Sequence, residues 1–133
     1  MAATTTAPVL DSADWVFDLV LSQDDGTPFN LTGSTIRVVL RTYVGFEVVD
    51  TCTTDGGTGS LIVTDAVNGK VSLRSKASVR TWRLSPAVAS LPIPMTVIGD
   101  VLRWTTGAPS SETDALGEIR FLVRAGTTER PSP

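Results

Sequence analysis

Leu61-Ile62-Val63-Thr64-Asp65-Ala66-Val67-Asn68-Gly69-Lys70-Val71-Ser72-Leu73 is the stretch on which the fold class turns. Two short runs rich in β-branched residues flank an Asn-Gly pair, which accepts positive φ at both central positions of a type I′ turn. The segment reads as a hairpin, with Leu61–Thr64 and Val71–Leu73 as its strands. Immediately upstream, Thr51–Ser60 is polar and rich in glycine and threonine, and reads as a mobile loop.

Working outward, Trp15, Phe17, Leu19 and Leu21 alternate with Asp14, Val16, Asp18 and Val20. That period of two, with one wholly apolar face, marks a half-buried strand. Asp24-Asp25-Gly26-Thr27-Pro28 supplies a turn, because aspartate bonds its own backbone and proline stops the strand. Phe29 and Leu31 then read as plugs at one end of the core. Ser34–Val44 is a longer strand, interrupted by Gly45, with Phe46–Val49 continuing it as a bent or separate strand.

Toward the C-terminus, Val79–Leu84 is either a strand carrying Trp82 and Leu84 inward or one short helical turn. Ser85-Pro86 and Leu91-Pro92-Ile93-Pro94 confine the residues between them to a loop or a single turn. Val97–Thr105 reads as a strand with Leu102 and Trp104 inward and a bulge at Gly99. Thr106–Leu116 is a polar loop, and Gly117–Arg124 closes the pattern with Ile119, Phe121 and Val123 inward and Arg120 and Arg124 outward. Seven to nine short strands with no amphipathic helix predict an all-β, antiparallel two-sheet sandwich. The expected organisation is an arm over residues 1–12, a sandwich over 13–126 and a tail over 127–133.

The chain has 133 residues, 41% hydrophobic and 19% charged, which favours one packed domain over disorder. It contains no histidine and a single cysteine, Cys52. Those counts exclude Ser-His-Asp and Cys-His catalysis, Cys/His zinc sites and a disulfide framework. Net charge is −3, so no nucleic-acid partner is expected. The charge is lopsided along the chain: residues 1–66 carry −7 and residues 67–133 carry +4. A polar particle that docks on copies of itself is the sharper reading; cancellation between interleaved strands is the plainer one. No apolar run approaches the roughly 18 residues a membrane span needs, and no secretory leader opens the sequence, so no membrane partner and synthesis in the cytoplasm are expected.

The remaining candidates for chemistry weigh toward structure. Gly56-Gly57-Thr58-Gly59-Ser60 lacks the Gly-Lys-Ser/Thr of a phosphate cradle. Asp24-Asp25-Gly26 lacks the spacing and the distal glutamate of a calcium loop, and reads as a hydrogen-bonded turn. Asp18 and Asp100 could pair as glycosidase acids, but strand-face aspartates are more often solvated. Arg37, Arg41, Arg120 and Arg124 read as outward, edge-protecting residues. Trp15, Trp82 and Trp104 could stack on sugars if exposed, but alternation assigns all three to the core. No catalytic residue, metal ligand or cofactor site is expected.

Asp14–Leu21, Asp25-Gly26-Thr27-Pro28-Phe29-Asn30-Leu31-Thr32-Gly33-Ser34-Thr35-Ile36-Arg37-Val38, Thr64–Leu73 and Gly117–Val123, taken in order, resemble one family. It comprises the small immunoglobulin-like β-sandwich structural proteins of tailed bacteriophages, notably the amino-terminal region of baseplate upper proteins. The resemblance implies a non-enzymatic virion part, an adaptor in the tail, baseplate or fibre-attachment region. Its implied partners are tail hub, baseplate or fibre proteins and copies of itself, as a homo-oligomer within the particle. A capsid cement protein and a carbohydrate-binding module for host adsorption are the alternatives. The 86–95 connection is unusually apolar, which makes Pro86, Val88, Leu91, Ile93 and Met95 the candidate protein-contact loop.

Overall fold

The computed structural model describes residues 3–55, 59–82, 84, 94–105 and 114–125, and every regular element among them is a β-strand. The eight strands are β1 (Ala3–Leu10), β2 (Trp15–Val20), β3 (Ser34–Thr42), β4 (Val48–Thr53), β5 (Gly59–Asp65), β6 (Lys70–Ser75), β7 (Met95–Thr105) and β8 (Asp114–Arg124). The all-β expectation therefore holds, within the expected number of strands.

All eight join edge to edge in the order β1-β8-β7-β3-β4-β5-β6-β2. Pairing is antiparallel except between β1 and β8 and between β4 and β5. The β4–β5 joint is narrow: Cys52 pairs with Gly59 and Thr53 with Ser60. β1 and β2 lie at opposite ends of this order, yet only residues 11–14 connect them. So short a link forces the sheet to curl until its two ends approach each other, close to a barrel. Trp15 and Phe17 of β2 then meet Phe121 of β8 across the interior, with ring centroids 5.2 and 6.2 Å apart. Ile36, Val38 and Leu40 of β3, Val97 and Val101 of β7, and Ile119 and Val123 of β8 fill the space between, all fully buried. Leu31 is buried and Phe29 packs on the core, as plugs would.

One corner is sealed by polar groups. Arg80 is buried at 2% exposure, and its Nη atoms donate to Ser75 O (2.7 Å), Ser75 Oγ (3.0 Å), Asp11 O (3.0 Å) and Ala13 O (2.6 Å). Its guanidinium lies 3.9 Å from the centre of the Trp15 ring. Ser75 Oγ in turn donates to the buried carboxylate of Asp50. Trp15 Nε1 donates to Leu10 O at 2.8 Å, and Asp11 N to Arg124 O at 2.9 Å. One guanidinium thus ties β6 to the β1–β2 link. A planar fork of donors suits this task because several carbonyls must be satisfied at once.

Several sequence expectations change. Residues 3–10, read as part of an arm, form β1, in register from Ala3↔Gly117 to Leu10↔Arg124. Pro8 is tolerated because β1 is an edge strand with no second neighbour awaiting its N–H. The polar 51–60 segment, read as a loop, holds the end of β4 and the start of β5. Thr51, Cys52 and Thr53 show no strand signal of their own because they are held by pairing with Arg37–Val39 of the neighbouring β3. The 61–73 hairpin is present, but Asn68 is not in the left-handed region, so its turn is not type I′. A four-residue loop replaces it, with Gly69 (φ 68°) donating to Ala66 O at 3.3 Å. A Cβ on Gly69 would overlap Leu21 O, so glycine is required there for space as well as for φ.

Strand β7 faces the other way from the expectation. Val97, Gly99 and Val101 point inward, while Leu102 is 36% exposed and Trp104 half-buried. The inward set is smaller because Gly99 lies tight against side chains of the neighbouring β3: a Cβ there would lie 2.6 Å from Val38 Cγ1. The register shift is not at Gly99 but between Val101 and Leu102, which pair with Gly117 and Ala115 and leave Leu116 extra on β8. Residues 76–80 form a single turn, with Arg80 N donating to Lys76 O at 2.9 Å, and Trp82 and Leu84 follow buried.

Candidate functional site

The outward face of β3 and β7 carries the most distinctive surface. Alternation along β3 places Arg37, Val39 and Arg41 outside, beside Ile98, Asp100 and Leu102 of β7. With Phe46 and Gly99 these residues line a groove of about 260 Å³. Aromatic rings sit at both ends under arginines: Arg37 lies 5.6 Å from the Trp104 ring centre and Arg41 4.9 Å from that of Phe46. Such stacking holds long side chains in place and leaves their charge available to a neighbour.

The β3–β4 connection rises at one end of this groove. It is closed by Thr42 N donating to Glu47 O (2.8 Å) and Glu47 N to Thr42 Oγ1 (2.9 Å). Tyr43 N also donates to Thr96 O at 2.9 Å, which anchors the connection to β7. Between these ties Tyr43, Val44 and Phe46 are exposed at 62%, 76% and 60%. Phe46 has φ 56° and is the only non-glycine residue with positive φ among those described. Holding a bulky L-residue there costs about 1–2 kcal/mol. Arg41 offsets part of that cost, its Nη1 donating to Phe46 O at 3.3 Å. Along β8, Arg120 pairs with Glu118 at 2.5 Å, a hydrogen bond that raises the guanidinium pKa further.

The larger openings lie elsewhere. Two adjoining clefts of about 430 and 400 Å³ separate the chain leaving β2, Leu19–Asp25, from the start of β8. They mark where the strand order fails to close, and buried Leu19, Val101, Leu116 and Ile119 form the inner wall of the second. Asp25 on the rim is engaged in its own turn. Its carboxylate accepts from Thr27 Oγ1 (2.6 Å) and Thr27 N (3.0 Å), which lowers its pKa. That is the hydrogen-bonded turn expected of Asp24-Asp25-Gly26. Among the described residues no group of three or more His, Cys, Asp or Glu could hold a metal ion. Cys52 is fully buried, and burial, then the neighbouring Asp50 charge, push its thiol up to about 12.

Of the five residues of the expected contact loop, Pro86, Val88, Leu91 and Ile93 lie outside the described residues. Met95 is the first residue of β7, half-buried and packed against the core. Asp18 and Asp100 are both exposed, on different strands at a distance in the strand order. Gly56, Gly57 and Thr58 of the glycine-rich run also lie outside the described residues. Trp15 and Trp82 are core residues as expected, whereas Trp104 is half-buried on the outer face, beneath Arg37 of the groove. Tyr43, Phe46 and Ile98 went unmarked in the sequence. The one signal available was an apolar turn, Tyr43-Val44-Gly45-Phe46, where polar turn residues are the norm. Neither protein-family models nor curated protein sequences give a match to this chain.

Proposed function

We propose that this chain is a non-enzymatic structural component of a tailed-phage virion, an adaptor in the tail, baseplate or fibre-attachment region that acts through repeated protein–protein contacts. The supporting observation is the chemistry of the β3–β7 face. Arg37, Arg41, Phe46, Trp104 and Tyr43 are the residue types that dominate protein interfaces. In this reading the strand order is a two-sheet immunoglobulin-like sandwich. Cutting it at the two-pair β4–β5 joint leaves β1-β8-β7-β3-β4 facing β5-β6-β2.

Three of the four segments that carry the family resemblance are also bonded together. Leu31 N donates to Ala66 O and Leu21 N to Gly69 O, both at 2.8 Å. The Asp-Gly-Thr-Pro turn and the Asn-Gly hairpin therefore form one end of the domain. The proposal is tested by the copy number and position of the chain in purified virions, from quantitative mass spectrometry and cryo-electron microscopy. A few to a few dozen copies at the tail are expected. Hundreds on the shell would make it a cement protein, and absence from the particle overturns the proposal. A glycan-binding module is the second reading, favoured by the outward position of Trp104; it requires glycan binding that Trp104→Ala abolishes.

A further inference from the structure

We propose that two copies of this chain associate about a two-fold axis, the Tyr43–Val48 tip of each filling the Arg37–Leu102 groove of the other. An isologous contact needs a knob and a hole side by side on one surface, so that each copy gives and receives the same residues. The tip and the groove meet that requirement, because Phe46 belongs to both and Arg41 of the groove stacks on its ring. The knob is apolar: Val44, Tyr43, Phe46 and Val48 are exposed at 76%, 62%, 60% and 46%. The hole has an apolar lining of Val39, Ile98 and Leu102.

The charges match in the same sense. The tip carries the exposed carboxylate of Glu47, and the groove is bordered along β3 by Arg37 and Arg41. Reciprocal docking brings Glu47 of one copy to Arg37 of the other, twice over. A uniformly acidic partner would suit the arginines but meet Asp100 inside the groove. A second copy supplies mixed charge on an apolar knob. The strain held at Phe46 is explained if the left-handed turn exists to present that knob.

The proposal deepens the reading of a contact-making protein but needs no virion. A failure here leaves the localisation experiment standing, and the reverse is also true. The test is sedimentation equilibrium of the full chain from micromolar to near-millimolar concentration, with four variants: Val44→Asp, Phe46→Gly, Arg37→Glu and the double exchange Arg37→Glu/Glu47→Arg. Expected are a monomer–dimer equilibrium for the native chain and a Kd raised at least about tenfold in each single variant. The double exchange should recover most of the native affinity. Thermal melts check that the singles fold, and Phe46→Gly is chosen to relax the backbone rather than stress it. A native chain that stays monomeric throughout overturns the proposal. So do open-ended oligomers, single variants that dimerise as tightly as the native chain, or a double exchange no better than Arg37→Glu.

Discussion

The Arg80 corner and the β3–β4 tip treat the same kinds of residue in opposite ways. At the corner, Trp15 is fully buried, an arginine covers its ring, and that arginine's donors end on four acceptors within the chain. At the tip, Phe46 is 60% exposed under another arginine and holds a backbone conformation that costs energy. Aromatic–arginine stacking is common to both. What differs is where the apolar surface goes: into the core in one case, toward solvent in the other. The corner holds the curled sheet together, and the tip is what that sheet displays.

The comparison breaks most visibly at Trp15. Replacing it by alanine leaves a cavity between β2 and β8, with an expected loss of about 3–5 kcal/mol in denaturant unfolding. Next comes Arg80→Met, which keeps much of the volume but deprives the Ser75, Asp11 and Ala13 acceptors of their donors. Breaking a buried charged network of this kind costs about 3 kcal/mol; a change under about 1 kcal/mol would show that the corner is not what closes the sheet.

Cys52, behind the same corner, offers a smaller and pH-dependent effect. Its thiol ionises near 9.0 when unfolded and is pushed up to about 12 by burial when folded. Above 9.0 the unfolded chain therefore holds fewer protons than the folded one, and stability falls as pH rises through the window up to about 12. By one pH unit above the unfolded value the loss is about 1.4 kcal/mol, and it should vanish from the difference between native and Cys52→Val unfolding curves if the thiol is not the cause. The smallest effect has the opposite sign. Phe46→Gly should leave stability unchanged or raise it by up to about 1 kcal/mol, because a left-handed position is relaxed and little buried surface is lost. A large destabilisation would make the tip part of the core after all.

Much of the β structure was legible locally. Trp15, Leu19 and Leu21 are buried as their alternation predicts, and Ile119, Phe121 and Val123 point inward on β8. The hairpin over 61–73 forms where Asn68-Gly69 indicated, although with a different turn. The outer groove was not legible, because the facing of β7 was read from its largest residues. Leu102 and Trp104 are among the largest apolar residues of β7, but the inner face beside Val38 has no room for a side chain at position 99 and selects glycine there.

By itself the sequence determined that the chain is built of strands, that histidine chemistry is absent, and which short runs alternate. These follow from local periodicity and composition, which need no knowledge of neighbours. The tertiary structure alone decided that residues 3–10 join β8, that the polar 51–60 segment supplies paired strands, and that Arg80 faces inward. Each depends on a partner distant in the chain: Gly117–Arg124 for β1, Arg37–Val39 and Arg74 for the strands of the 51–60 segment, and Asp11 and Ala13 for Arg80. A hydrogen bond between remote segments leaves no periodic trace in either one, so only the assembled sheet reveals it.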